Sequence, residues 1–154
     1  MLKVVLLCIG KVKAGWIKDG CDDYLNRLQS VLKISVTEIP DSTAKNPDLK
    51  IAEESERIIH WADQYNGDIW VLDEKGTLKT SVEFSKVIED AKDYGRPLLF
   101  VIGGPYGVTD AVRKLAKGNL SVSKMTLTHE LCRVFLLEQI YRATEIQKGS
   151  GYHH

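Results

Sequence analysis

The stretch LLFVIGGPYGV, Leu98 to Val108, decides how the chain is organised. Its five leading apolar residues carry no polar interruption and read as a strand buried on both faces. Gly103, Gly104 and Gly107, set around Pro105 and Tyr106, then read as a tight turn whose free backbone N–H groups can meet a ligand. The same glycines equally suit a plain strand-to-helix turn, because positive φ costs glycine little. Two phosphate-binding motifs are excluded. The adjacent glycines do not match G-x-G-x-x-G, Pro105 removes one N–H, and nothing matches G-x-x-x-x-G-K-[ST].

Outward from this turn, apolar runs alternate with helical periods. Leu2–Ile9, Ile34–Ile39, Ile69–Asp73 and Leu120–Ser123 read as further strands. Helical spacing marks Trp16 to Leu28, Asp48–Gln64, Val82–Ala91, Thr109–Ala116 and Glu130–Lys148, the longest. Pro47 or Asp48 suits the start of the second helix, Thr109 or Asp110 that of the fourth and Thr128 that of the last. Glu74–Thr77, EKGT, reads as a turn. Connections of this length join parallel strands, so the expected class is α/β, a mainly parallel sheet with helices on both faces. Ligands in such sheets bind beyond the carboxyl ends of the strands. That nominates the loop after Leu72, the turn Gly103–Gly107 and the loop Ser121–His129, where Met125 and Leu127 stand among hydroxyl side chains.

With 154 residues, the chain suits a single domain, 1–154, that buries about two-thirds of its unfolded surface. Apolar residues at 44% and charged residues at 27% exclude the disordered and fibrous classes. The apolar start is too short for a membrane span and lacks a cleavage site, so no membrane association and a cytoplasmic location are expected. Cys8, Cys21 and Cys132 show no C-x-x-C spacing, which favours buried free thiols over a disulfide or zinc site. Lys plus Arg equals Asp plus Glu at 21 each, so the overall field gives no reason to expect nucleic acid, and any RNA contact is local. On the last helix, Val134, Leu137, Ile140, Tyr141 and Thr144 describe a packed face, from which Arg133, Glu138 and Arg142 project away; Glu138 and Arg142 are spaced as an ion pair. The two adjacent tail histidines make a poor metal site, and no metal is expected.

VIGGPYG, LSVSKMTLTHELCRVFLLEQIYRA, the ending YHH and the opening VLLCIGKVK together resemble the RlmH family of SPOUT-class methyltransferases, across essentially the whole chain. The resemblance implies a C-terminal trefoil knot that forms an S-adenosylmethionine pocket, and a homodimer whose second subunit completes the active site. Its implied activity is methylation of N3 of a pseudouridine in large-subunit (23S) ribosomal RNA within the assembled 70S ribosome. Carried over by position, Leu72, Gly103, Val122, Ser123, Lys124, Met125, Thr126 and Leu127 are the cofactor residues. Tyr152 and His153 approach the substrate, with Arg142 and His129 as positioning groups and a neutral His153 as a proton acceptor. Lys11, Lys13, Lys18 and Arg142 are candidate phosphate contacts.

Three positions depart from the family pattern. Thr128 and Gly151 stand where proline is usual, and His154 where the family ends in Lys or Arg. Two other readings remain open on sequence alone: a non-catalytic nucleotide- or RNA-binding α/β module, and a methyltransferase of the same class with a different RNA target.

Overall fold

A computed structural model describes all 154 residues. Ten elements alternate along the chain: β1 (Lys3–Ile9), α1 (Gly15–Leu28), β2 (Lys33–Ile39), α2 (Pro47–Ala62), β3 (Asp68–Leu78), α3 (Ser81–Asp93), β4 (Leu98–Ile102), α4 (Asp110–Leu115), β5 (Gly118–Ser121) and α5 (His129–Lys148). The strands form one sheet in the order β2-β1-β4-β3-β5, with every pair parallel. The α/β class with a parallel sheet is therefore as expected.

The apolar runs follow from burial on both faces. Val4, Leu6 and Cys8 of β1, with Leu98, Phe100 and Ile102 of β4, point into one cluster beneath α1, α3 and α5. Val5, Leu7 and Ile9, with Leu99 and Val101, point into the other beneath α2 and α4. Alternate side chains face opposite ways, so a strand covered on both sides has no polar position to spare. The helix placement gives all four crossovers the same hand. The steps β1 to β2 and β3 to β4 move one way across the sheet, and β2 to β3 and β4 to β5 the other.

α5 has no crossover to make. It leaves the far edge strand β5 and packs against both α1 and α3 on the first face, where Leu136, Leu137, Ile140 and Ala143 enter the core.

Several boundaries and placements correct the expectations. Glu74–Thr77 is not a separate turn but lies within β3, which runs on to Leu78. Leu72 and Thr77 both pair with Leu120, so residues 73–76 bulge out of register. β5 spans Gly118–Ser121 rather than Leu120–Ser123, because its pairing with β3 begins at Trp70 opposite Gly118 and ends at Leu78 opposite Ser121. Arg133 does not project away from the packed face: it is 2% exposed. Its guanidinium donates to Glu38 at 2.7 Å and to the Gly10 carbonyl at 2.6 Å, so the charge is buried with partners beneath the ends of β1 and β2. All three cysteines are free, Cys8 and Cys21 buried and Cys132 half-buried.

Candidate functional site

The glycine turn and the loop before α5 close around a cavity of about 440 Å³ at the carboxyl ends of β3, β4 and β5. Leu72, Gly103, Val122, Ser123, Met125, Thr126 and Leu127 border it, which brings together seven of the eight residues expected to hold a cofactor. Lys124 does not border it, and its side chain is exposed. The wall is mixed: Leu72, Ile102, Leu120 and Leu127 supply apolar surface, and hydroxyls and backbone supply the rest.

The turn is glycine-rich for two different reasons. A Cβ on Gly103 would lie 2.7 Å from Val108 Cγ1, and one on Gly104 would overlap Glu54 Oε1, so both are glycine because neighbours press against them. Gly107 has φ +88°, a conformation that excludes most other residues. Behind the turn, Glu54 of α2 is 2% exposed, accepts the Ser42 N–H at 3.0 Å and pairs with Lys50 Nζ at 3.3 Å. Next to it, Ser55 Oγ accepts the Thr109 N–H at 3.1 Å. Two adjacent residues of α2 thus hold the turn and the segment after β2 in place. Thr109 itself makes no side-chain cap at α4, whereas Thr128 accepts from the Leu131 N–H at 3.2 Å and caps α5.

The loop Ser121–Thr128 is ordered by its own hydroxyls. Ser121 Oγ donates to the Ser123 carbonyl at 2.9 Å, Ser123 Oγ accepts from the Met125 N–H at 2.9 Å, and Thr126 Oγ1 donates to Glu74 at 3.2 Å. That last bond joins the loop to the β3 bulge, whose Asp73 is held by Arg113 Nε at 2.5 Å. The bulge displaces Asp73 and Glu74 from the strand ladder and turns them towards the cavity, which both border.

His129, the first residue of α5, stands at the cavity wall. Burial lowers its pKa, a pull that outweighs the attraction of Glu130, so the imidazole is neutral near pH 7. Glu130 pins this end of the helix by accepting the Lys13 and Ala14 N–H groups at 2.9 and 3.2 Å.

The other expected catalytic residues assemble elsewhere. Arg142 donates to Glu138 Oε1 through Nη2 at 2.7 Å and to His153 Nδ1 through Nη1 at 3.1 Å. Tyr152 donates its hydroxyl to the same Glu138 oxygen at 3.0 Å, lies under the Arg142 guanidinium at 4.7 Å and meets Tyr141 edge-on at 5.1 Å. Burial, then the Glu138 bond, pushes the Tyr152 phenol up to about 12, so it remains protonated. A guanidinium only donates, so His153 Nδ1 accepts and a neutral ring carries its proton on Nε2. Arg142 follows His129 by thirteen residues on one helix, about 20 Å along its axis. Within one chain, His129 and the cavity are at one end of α5, and Arg142, Tyr152 and His153 are at the other.

Sequence reasoning missed Glu54, Ser55, Asp73, Arg113 and the shared role of Glu138. Glu54 had a signal, since it falls four residues before Ile58 and eight before Ala62 on the buried face of α2. A carboxylate in an apolar stripe needs a buried partner.

Comparison with known proteins agrees with this architecture. A family model described as a predicted SPOUT methyltransferase matches residues 2–153. The chain is 41% identical to the ribosomal RNA large subunit methyltransferase H of Cytophaga hutchinsonii, with 99% of this chain and 100% of the relative aligned. It is 39% identical to the protein of the same name from Maridesulfovibrio salexigens, over 100% and 99% of the two chains. A crystal structure of a methylase family protein from Neisseria gonorrhoeae shares the fold, at a TM-score of 0.60 and 10% identity over 94% of this chain and 84% of that one. The chain belongs to the SPOUT methyltransferase family.

Proposed function

We propose that this protein transfers a methyl group from S-adenosylmethionine to N3 of a pseudouridine in large-subunit ribosomal RNA, acting in the cytoplasm on the assembled ribosome. The relatives that match its whole length carry the name of a large-subunit rRNA methyltransferase. The observation that carries the reading is the gathering of seven expected cofactor residues, from three separate segments of the chain, around one cavity. Its volume suits a single nucleoside-sized ligand, and its apolar and backbone surfaces suit an adenine ring with a polar edge.

The sulfonium supplies an already activated methyl group. What remains for the protein is alignment of N3 with that methyl and removal of the N3 proton. Neutral His129 at the cavity wall has the protonation state to accept a proton or to orient the base. The far end of α5 and the tail supply donors: Arg142, the Tyr152 hydroxyl and, in its present pairing, His153 through Nε2. Release from Arg142 exposes Nδ1 and turns His153 into an acceptor.

A tail about 20 Å along α5 from its own cavity cannot take part in a transfer over roughly 3 Å. The working site therefore combines the cavity of one subunit with the tail of another, and the protein acts as a homodimer. The trefoil knot belongs to the same reading. Its support is the position of α5, last in the chain yet seated between α1 and α3.

The test is transfer of labelled methyl from S-adenosylmethionine to intact 70S ribosomes that lack the modification, with the labelled nucleoside identified by mass. Label on N3 of a large-subunit pseudouridine is expected. No transfer by protein that binds S-adenosylmethionine overturns the target, and equal transfer to naked RNA overturns the requirement for an assembled ribosome. Binding of an adenine nucleotide but not of S-adenosylmethionine overturns the activity itself.

A further inference from the structure

A second cavity of about 670 Å³ lies beside the first. It is bounded by the segments that follow β1 and β2, by the Pro105–Tyr106 tip of the glycine turn, and by His129 and Glu130. Pro105, Tyr106 and His129 border both cavities, so occupants of the two meet along that wall. The position is also set by topology. β1 connects outward to β2 and its neighbour β4 connects the opposite way to β5, so the strand order switches between them. A crevice beyond the carboxyl ends of such a pair is where open α/β sheets bind ligands.

The charges around this second cavity are unevenly engaged. Every carboxylate on its rim has a partner: Glu38 takes Arg133 at 2.7 Å, Glu130 takes two backbone N–H groups, and Asp41 lies 3.9 Å from Lys50. Lys50 is itself committed, to Glu54 at 3.3 Å. Lys11, Lys13 and Lys45 also border the cavity, are exposed and make no ion pair. Three unpaired ammonium groups thus surround one concavity in a chain of zero net charge. They sit on two different loops, a spread that suits successive charges along an extended polyanion. Tyr106, 57% exposed at the shared wall, offers a ring on which a base can stack.

We propose that the second cavity is the entry groove for the rRNA strand. Lys11, Lys13 and Lys45 hold its phosphates, and the target nucleoside passes Tyr106 and His129 to reach the cofactor cavity. This inference rests on the methyltransferase reading and specifies where that substrate lies. It also resolves the neutral overall charge, because the basic surface is local.

The test compares the full-length protein with a Lys11→Gln/Lys13→Gln/Lys45→Gln variant, and with Lys92→Gln on α3 as a remote control. Three quantities are measured: S-adenosylmethionine binding by calorimetry, affinity for ribosomes lacking the modification over a range of salt, and methyl transfer. The triple variant is expected to bind S-adenosylmethionine normally, to bind ribosomes more weakly, and to show a salt slope shallower by about two, from about 0.7 per lost contact to single-stranded RNA. Its KM for ribosomes rises while kcat is retained. Unchanged ribosome affinity and slope, in a setting where the wild type transfers methyl, overturn the groove and leave the methyltransferase reading standing. Weaker affinity with an unchanged slope also overturns it, by pointing to a ribosomal protein contact. A wild type that transfers no methyl overturns both.

Discussion

The cavity under the glycine turn and the cluster at the far end of α5 are built in opposite ways. The cavity is shaped by backbone, by glycines against which Val108 and Glu54 press, and by loops bonded to themselves and to α2. The cluster consists of side chains: Glu138, Arg142, Tyr152 and His153 share one set of bonds on the last turns of the helix and the tail. Gly149 and Gly151, at φ +64° and +82°, let that tail fold back. Loops bonded to themselves and braced by α2 suit binding, and a tail held by a few side-chain bonds suits a group that must move onto a substrate. Each region should therefore fail in its own way.

The largest effect is expected at the cavity. Gly103→Trp drives an indole into space already claimed by Val108 and the Gly107 carbonyl, so S-adenosylmethionine binding falls below detection by calorimetry while the circular dichroism spectrum is kept. Unchanged binding would move the pocket elsewhere. His153→Ala should do the reverse, with binding retained and turnover down by about 10²-fold, as for loss of a group that handles a proton. Retained turnover would remove the tail from the chemistry.

Mixing these two inactive variants sharpens the comparison. If cavity and tail work across a dimer interface, half the dimers are mixed and each has one intact composite site, so about a quarter of wild-type activity returns. No recovery would place both parts in one chain.

A smaller effect concerns stability at the cavity end of α5. Arg133→Ala strands Glu38 and two backbone carbonyls, and should cost about 3 kcal/mol in denaturant unfolding. A loss within experimental error would mean that Arg133 does not anchor the helix. The smallest effect is that of His129 on pH. Its folded pKa lies below the ordinary 6.5, so the unfolded chain binds the proton more readily and stability falls as pH drops from 6.5 through the folded value. His129→Gln should flatten that part of the stability profile, and an unchanged slope would assign it to other groups.

Much of this was legible before any coordinates. Val4–Ile9 and Leu98–Ile102 are apolar without a break because both sheet faces are covered, and a local pattern of that kind needs no tertiary knowledge. That the loop Ser121–Leu127 belongs beside the glycine turn was legible too, through a long motif rather than through periodicity. Arg133 was misplaced for the opposite reason. A helical wheel sets it on the packed face, four residues before Leu137 and seven before Ile140, but a charge belongs there only with buried partners, and these, Glu38 and the carbonyls at the end of β1, lie more than ninety residues earlier. The bulge at Asp73–Gly76 was hidden because EKGT has turn composition, and only its pairing with β5 keeps it in a strand.

The sequence by itself determined the alternation of strands and helices and the cap that Thr128 places on α5, since each depends on neighbours a few positions away, while the residues that border the cavity were legible only through the family resemblance. The tertiary structure alone decided where the ends of α5 lie, that Glu54 braces the glycine turn, and that His129 stands between two cavities. Those facts depend on strand order, and strand order is set by which buried faces meet across the whole chain.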